Sequence, residues 1–243
     1  MNRQVLDRMR RRCVFWIFGG GLLGPILFPN LVSVALALGV RNYPQGMQLV
    51  EGEVRVNNIP ATKGSPVNYG DTIVTGDDGK AIVVMNRSVY LLRENTRLIL
   101  SEEPDRGAKD KMLSIFKLLN GKVLSVFGKG RRRLETATAV IGVRGTAVYL
   151  ESEPHKTYVC TCYGRVEIVA RHDPSIREKV RTYYHDKPRF IYGPGADETL
   201  VAAPVINHTD AELIMLESMV GRIPPFMRDK RSGRYEDETG GSY

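Results

Sequence analysis

Cysteine is scarce in this sequence. There are three, and Cys13 aside, only Cys160 and Cys162 remain. That excludes a scaffold stapled by several distant disulfides. Histidine is equally sparse and confined to positions after 150, as His155, His172, His185 and His208. No Gly-x-Ser-x-Gly elbow, phosphate loop or His-Glu-x-x-His pair occurs, so the common hydrolase, nucleotide and metalloprotease devices are absent. Asp210, Glu212 and Glu217 fit helix-start and surface roles better than an acid–base pair. His208-Thr209-Asp210 has a triad's composition only, because neighbours at a helix start do not converge on one nucleophile. The expectation is a protein that is not an enzyme.

A basic stripe interleaved with aromatics, as single-strand binders carry, is also missing. The net charge of +8 owes much to the N-terminus, where five arginines (3, 8, 10, 11 and 12) face Asp7 alone. Loss of residues 1–37 would take the excess from +8 to +4. Nucleic acid is therefore not expected as a partner. Charged residues are absent from Cys13 to Val40, and Ala35-Leu36-Ala37 offers a small-x-small site. Basic, apolar and small-residue parts in this order read as a signal peptide or an N-terminal membrane anchor over residues 1–40. Gly19 to Gly21, Pro25 and Pro29 interrupt the run. The remainder is expected to be periplasmic or secreted, an oxidising setting, with the membrane engaged through the N-terminal segment.

Strand signals dominate from residue 46 to 170. "LVEGEVRVNN" alternates at period two, the pattern of a half-buried strand. Turn residues at Gly70-Asp71, Gly76 to Gly79, Asn86-Arg87 and Glu94-Asn95 cut the next stretch into four short strands. Asn120-Gly121 predicts a hairpin, and "GKGRRRLE" a loop. The predicted fold is mainly β, an antiparallel sandwich or roll of short strands. A C-terminal extension follows over residues 171–226. It holds a short helix after Asp173-Pro174 and a firmer one at about 210–220, with Thr209 and Glu212 as a capping box. Residues 227–243 are charged, end in Gly and Ser, and read as a disordered tail.

Five segments together resemble the FecR-type domain, the ferric-citrate regulator family, over roughly half of the chain: "VEGEVRVNN", "VNYGDTIVTGDDGKAIVVMNRSVYLLRENTRLIL", "NGKVLSVF", "TATAVIGVRGTAVYL" and "YGRVEIVA". The resemblance implies a periplasmic, non-catalytic sensing or scaffolding module. Such a module takes part in signal transduction and iron-related regulation, and binds a partner protein, cell-wall glycan or small ligand. The best-known members carry a cytoplasmic helical region before their membrane span. Here about a dozen residues precede the apolar run, so direct control of a sigma factor is not expected. Within "VIGVRGT", Arg144 sits between Gly142 and Gly145. Its planar fork suits a carboxylate or phosphate, which makes Arg144 and Thr146 candidate ligand-binding residues. The alternative is that both lock the fold.

Cys160 and Cys162 share one strand face, because side chains alternate at period two. Their Cα atoms would lie about 6.6 Å apart on a regular strand, near the limit for a disulfide. Three readings stay open: buried free thiols, a redox pair, or half of a metal site. In the last, His172, His185 and His208 from the extension would complete the ligands, and zinc, iron or copper would suit sulfur with imidazole. The histidines are 13 and 23 residues apart, which matches no ligand spacing.

Overall fold

The computed structural model describes residues 43–105 and 112–227. The expected signal or anchor over 1–40 and the tail beyond 227 lie outside those residues. The period-two segments become strands arranged in two layers.

One layer runs, in spatial order, β1 (Gly46–Glu51), β5 (Lys80–Met85), β6 (Ser88–Leu92), the second half of β8 (Met112–Val126), β11 (Ala147–Glu153), the first half of β12 (Lys156–Ala170), β14 (Arg189–Tyr192) and β15 (Leu200–Ala202). The other runs β3 (Ile59–Pro60), β2 (Val54–Val56), β4 (Thr72–Thr75), β7 (Arg97–Pro104), the first half of β8, β9 (Arg131–Glu135), β10 (Ala139–Arg144), the second half of β12 and β13 (Arg177–Thr182). Neighbours are antiparallel except β8 with β9. The mainly β expectation holds, and the shared strands give the sheet a barrel-like closure.

Both shared strands turn their corners at glycine. β8 pairs with β7 up to Asn120 and with β11 from Gly121. β12 pairs with β11 up to Tyr163 and with β13 from Gly164. Gly121 has φ +93° and Gly164 φ +102°, values costly for a residue with a Cβ. A Cβ on Gly164 would stand 2.5 Å from Thr146 Cβ. Gly164→Ala is therefore expected to cost about 3 kcal/mol, a Tm drop on the order of 10 °C. Thermal unfolding followed by circular dichroism checks this, and an unchanged Tm would refute it.

Three local expectations need correction. Asn120-Gly121 makes no hairpin, because Asn120 Nδ2 donates to Asn95 O at 2.5 Å and the chain bends without reversing. Residues 131–135 form β9 rather than a loop, with the Arg132 guanidinium 5.7 Å from the Phe127 ring. After Asp173-Pro174 no helix forms. Asp173 Oδ1 accepts from the Ser175 amide and hydroxyl, a local turn that competes with helix and leads into β13.

The core between the layers holds Met47, Val83, Leu98, Leu118, Ile141, Val159 and Ile168. A second cluster lies on the outer face of the β5–β6–β8–β11–β12 layer. There the extension returns with helix α1 (Asp210–Met219), whose Leu213 and Leu216 are fully buried. Each leucine contributes about 1.5–3 kcal/mol of burial. The helix start is closed by the expected capping box of Thr209 and Glu212. Cys160 and Cys162 lie in this outer cluster, beneath the extension.

Candidate metal centre

Two thiols reach the centre from β12 and two imidazoles from the extension. Cys160 pairs with Tyr149 on β11, and Cys162 is the extra residue of a β-bulge between the Thr161–Val148 and Tyr163–Ala147 pairs; both thiols belong to the outer cluster. Both are free thiols and wholly buried. His185 follows β13 in a turn where its backbone has φ +46°. The left-handed region is uncommon for a side chain of this size, and such positions cluster at functional sites. The His185 amide donates to Cys162 O at 3.0 Å, which presses the imidazole toward the sulfurs. His208 stands just before α1, stacked on the Tyr149 ring at 4.7 Å between centroids. Asn207 beside it has φ +56°. Its carbonyl accepts from Arg93 at 2.7 Å, and its amide donates to Glu151 at 2.7 Å.

One ligand atom from each of the four residues lies within 4.8 Å of all the others. Cys160 Sγ is 3.4 Å from His185 Nδ1, and His208 Nε2 is 3.1 Å from the same nitrogen. A tetrahedral zinc ion, with bonds of about 2.3 Å to sulfur and 2.05 Å to nitrogen, requires ligand edges of about 3.4–3.8 Å. The four atoms thus stand close to the spacing of a tetrahedral first shell.

The outer hydrogen bonds fix the ring tautomers. His208 Nδ1 is 2.7 Å from Ile206 O. A carbonyl can only accept, so Nδ1 carries the hydrogen and Nε2 offers a lone pair. His185 Nε2 lies 3.2 Å from Asp210 Oδ1, which makes Nε2 the donor and leaves Nδ1 as the acceptor. The two lone pairs face each other across 3.1 Å. A proton or a cation must sit between them. Asp210 is itself held by the Tyr184 hydroxyl at 2.7 Å. A carboxylate and a carbonyl behind the two imidazoles form the outer shell that metal-binding histidines ordinarily have.

Charge follows the same geometry. Hydrogen bonding from Cys162, then from His185 and His208, pulls the Cys160 thiol far below its usual range. Burial, then Cys160 beside it, pushes the Cys162 thiol up. Burial would lower His185, but Asp210 and Cys160 outweigh it and raise the group to about 9. In the protonated apo state an imidazolium thus sits beside a thiolate. A divalent cation can replace that proton and draw the second thiol into ionisation.

The remaining candidate residues lie elsewhere. His172 is exposed, with Nε2 3.4 Å from Thr199 Oγ1. Thr146 is buried, and its hydroxyl donates to Ala147 O at 3.2 Å; its methyl-bearing carbon backs Gly164. Arg144 points to solvent at the rim of a cavity. Sequence reasoning missed Asp210, which reads as an ordinary acidic residue of a first helical turn, and Tyr149, whose ring supports His208.

Residues 71–167 match the family model described as FecR protein. Cys160 and Cys162 fall inside that match, and His185 and His208 outside it. Two crystal structures of a proposed anti-sigma factor from Parabacteroides distasonis, at 1.65 and 2.50 Å, superpose with a TM-score of 0.43 and 11% identity. The overlap covers 54% of this chain and 58% of that one, less than two thirds of the solved protein. No curated protein matches the sequence.

Proposed function

We propose that this chain, whose residues 71–167 match the FecR protein model, is a non-catalytic regulatory module of the cell envelope whose C-terminal extension is clasped to the β-domain by a zinc-class ion. Cys160, Cys162, His185 and His208 are the ligands. The observation that carries this reading is the pair of imidazole lone pairs facing each other beside two buried sulfurs. Four protein ligands without an open position suit a structural ion rather than a catalytic one. Iron and copper are accommodated less well, because two imidazoles and two thiolates at tetrahedral spacing match zinc's preference. The FecR domain supports the regulatory role, exercised through a protein or other envelope partner. Export is inferred from the apolar N-terminal run, and a periplasm-sensitive reporter fused after residue 40 tests it; a cytoplasmic readout would refute it.

Anaerobically purified full chain is expected to hold about one zinc ion. Cobalt substitution should give the intense visible bands of a tetrahedral thiolate site. His185→Ala and His208→Ala should each lower metal affinity at least a hundredfold, on the order of one lost ligand bond, whereas His172→Ala should leave it unchanged. Substoichiometric metal in the parent, or equal effects of all three substitutions, would overturn the assignment.

A further inference from the structure

One residue of register separates a buried apolar row from an exposed basic one. Val143 pairs with Val166, and Val166 with Val180. All three valines are buried in the core between the layers. The next residue on each strand faces the opposite way. Those residues are Arg144 on β10, Arg165 on β12 and Arg181 on β13. Arg165 and Arg181 are direct cross-strand partners, and the Val143–Val166 register sets Arg144 beside Arg165. Adjacent strands lie about 4.8 Å apart, so three guanidinium stems stand in line at that spacing. Like charges directly opposite in a sheet are destabilising.

The row extends one strand further, where Arg131 pairs with Arg144. Arg131 differs, because Asp105 accepts two hydrogen bonds from it at 3.0 and 3.1 Å. Among the described residues, Arg144, Arg165 and Arg181 have no such carboxylate. Together they line a cavity of about 640 Å³. Gly145 and Gly164 also line it, and a side chain on Gly145 would meet nothing within 4 Å. The one acidic residue at the rim, Asp186, turns its Oδ2 to the Thr182 hydroxyl at 2.6 Å and to the Tyr183 amide at 3.1 Å.

Protection of a sheet edge by charge would explain cations on β13, the edge strand. It does not explain Arg144 and Arg165, which lie on strands paired along both sides. We infer that the row of Arg144, Arg165 and Arg181 is a binding site for a phosphomonoester-type oxyanion. A phosphate dianion brings close to two negative charges and three acceptor oxygens, enough to engage three forked donors whose geometry suits it. A single carboxylate would leave the row with excess positive charge.

The test uses the zinc-loaded full chain and glycerol phosphate, a phosphomonoester that binds metals weakly, titrated calorimetrically at low ionic strength. Binding is expected and should weaken as salt is raised. Arg165→Gln/Arg181→Gln should weaken it on the order of a hundredfold, two charge-assisted contacts of about 1.5 kcal/mol each. Lys63→Gln/Arg97→Gln, which removes the same charge elsewhere, should change it less than about twofold by the same reasoning. Flotation with phosphatidylcholine vesicles containing phosphatidic acid separates the two sources of such a group. Vesicle binding lost in the Arg165/Arg181 variant, without glycerol phosphate binding, assigns the site to a lipid headgroup. The site is overturned if neither probe binds, or if both double variants weaken binding equally. Retained zinc and an undiminished Tm in the variant show that folding is not what changed.

Discussion

Removal of the ion by a strong chelator is expected to lower the Tm of the full chain by about 15 °C. It should also strip hydrogen-exchange protection from α1 while sparing β5, β6 and β8. Zinc contributes on the order of 10 kcal/mol to small domains that fold around it. Here the β-domain has its own core, so about half of that should appear as stability, which at this chain length corresponds to the stated shift. The loss is local because the ligands straddle one boundary. Cys160 and Cys162 belong to β12, whereas His185 and His208 belong to the connections after β13 and before α1. His185 leads through Asp210 to the first turn of α1, so release at the centre loosens the helix start. An unchanged Tm and uniform protection with and without chelator would show that no ion fastens the extension.

Arg222→Met is expected to cost about 3 kcal/mol, and adding Glu217→Gln should restore most of it. Glu217 is buried on α1, accepts from the Tyr163 hydroxyl, and pairs with Arg222 just beyond the helix. Arg222 also donates to Arg87 O at 2.7 Å, tying the helix end to the β5–β6 turn. Taking away one partner leaves a carboxylate in a nearly dry site, the expensive half of a broken pair. Neutralising both leaves neither charge stranded. Denaturant midpoints of the two single variants and the double give the coupling directly. Additive losses would mean that the pair is not coupled.

The strand layout was legible because "LVEGEVRVNN" alternates at period two and turn residues cut the apolar stretches after it into short strands, and the capping box marked α1. What failed were local signals overruled at a distance. Gly121 serves a corner shared by two layers, and only the strands on either side reveal that. The same limit applied at the candidate metal centre. Cys160 and Cys162 share a face by strand geometry alone, so half of the candidate set could be read from two letters. Which histidines join them depends on the path of residues 171–208, and spacing carries no trace of it. His172 and His185 looked alike in sequence, but the turn at Asp173 leaves one at the surface and β13 carries the other inward. Arg144 stood out for its glycine neighbours. Arg165 and Arg181 became visible only once the register set them beside it.

That the four proposed ligands are divided between the sheet and the extension has a thermodynamic consequence. Two thiols alone make a poor site, and so do two histidines on an undocked segment. Whatever factor docking adds to ion affinity, the ion adds to docking, since linkage is reciprocal. A protein that captured the extension would therefore expel the ion, and a fall in free zinc would offer the extension to that protein. Competition for one segment would convert the supply of a metal into the availability of a binding surface.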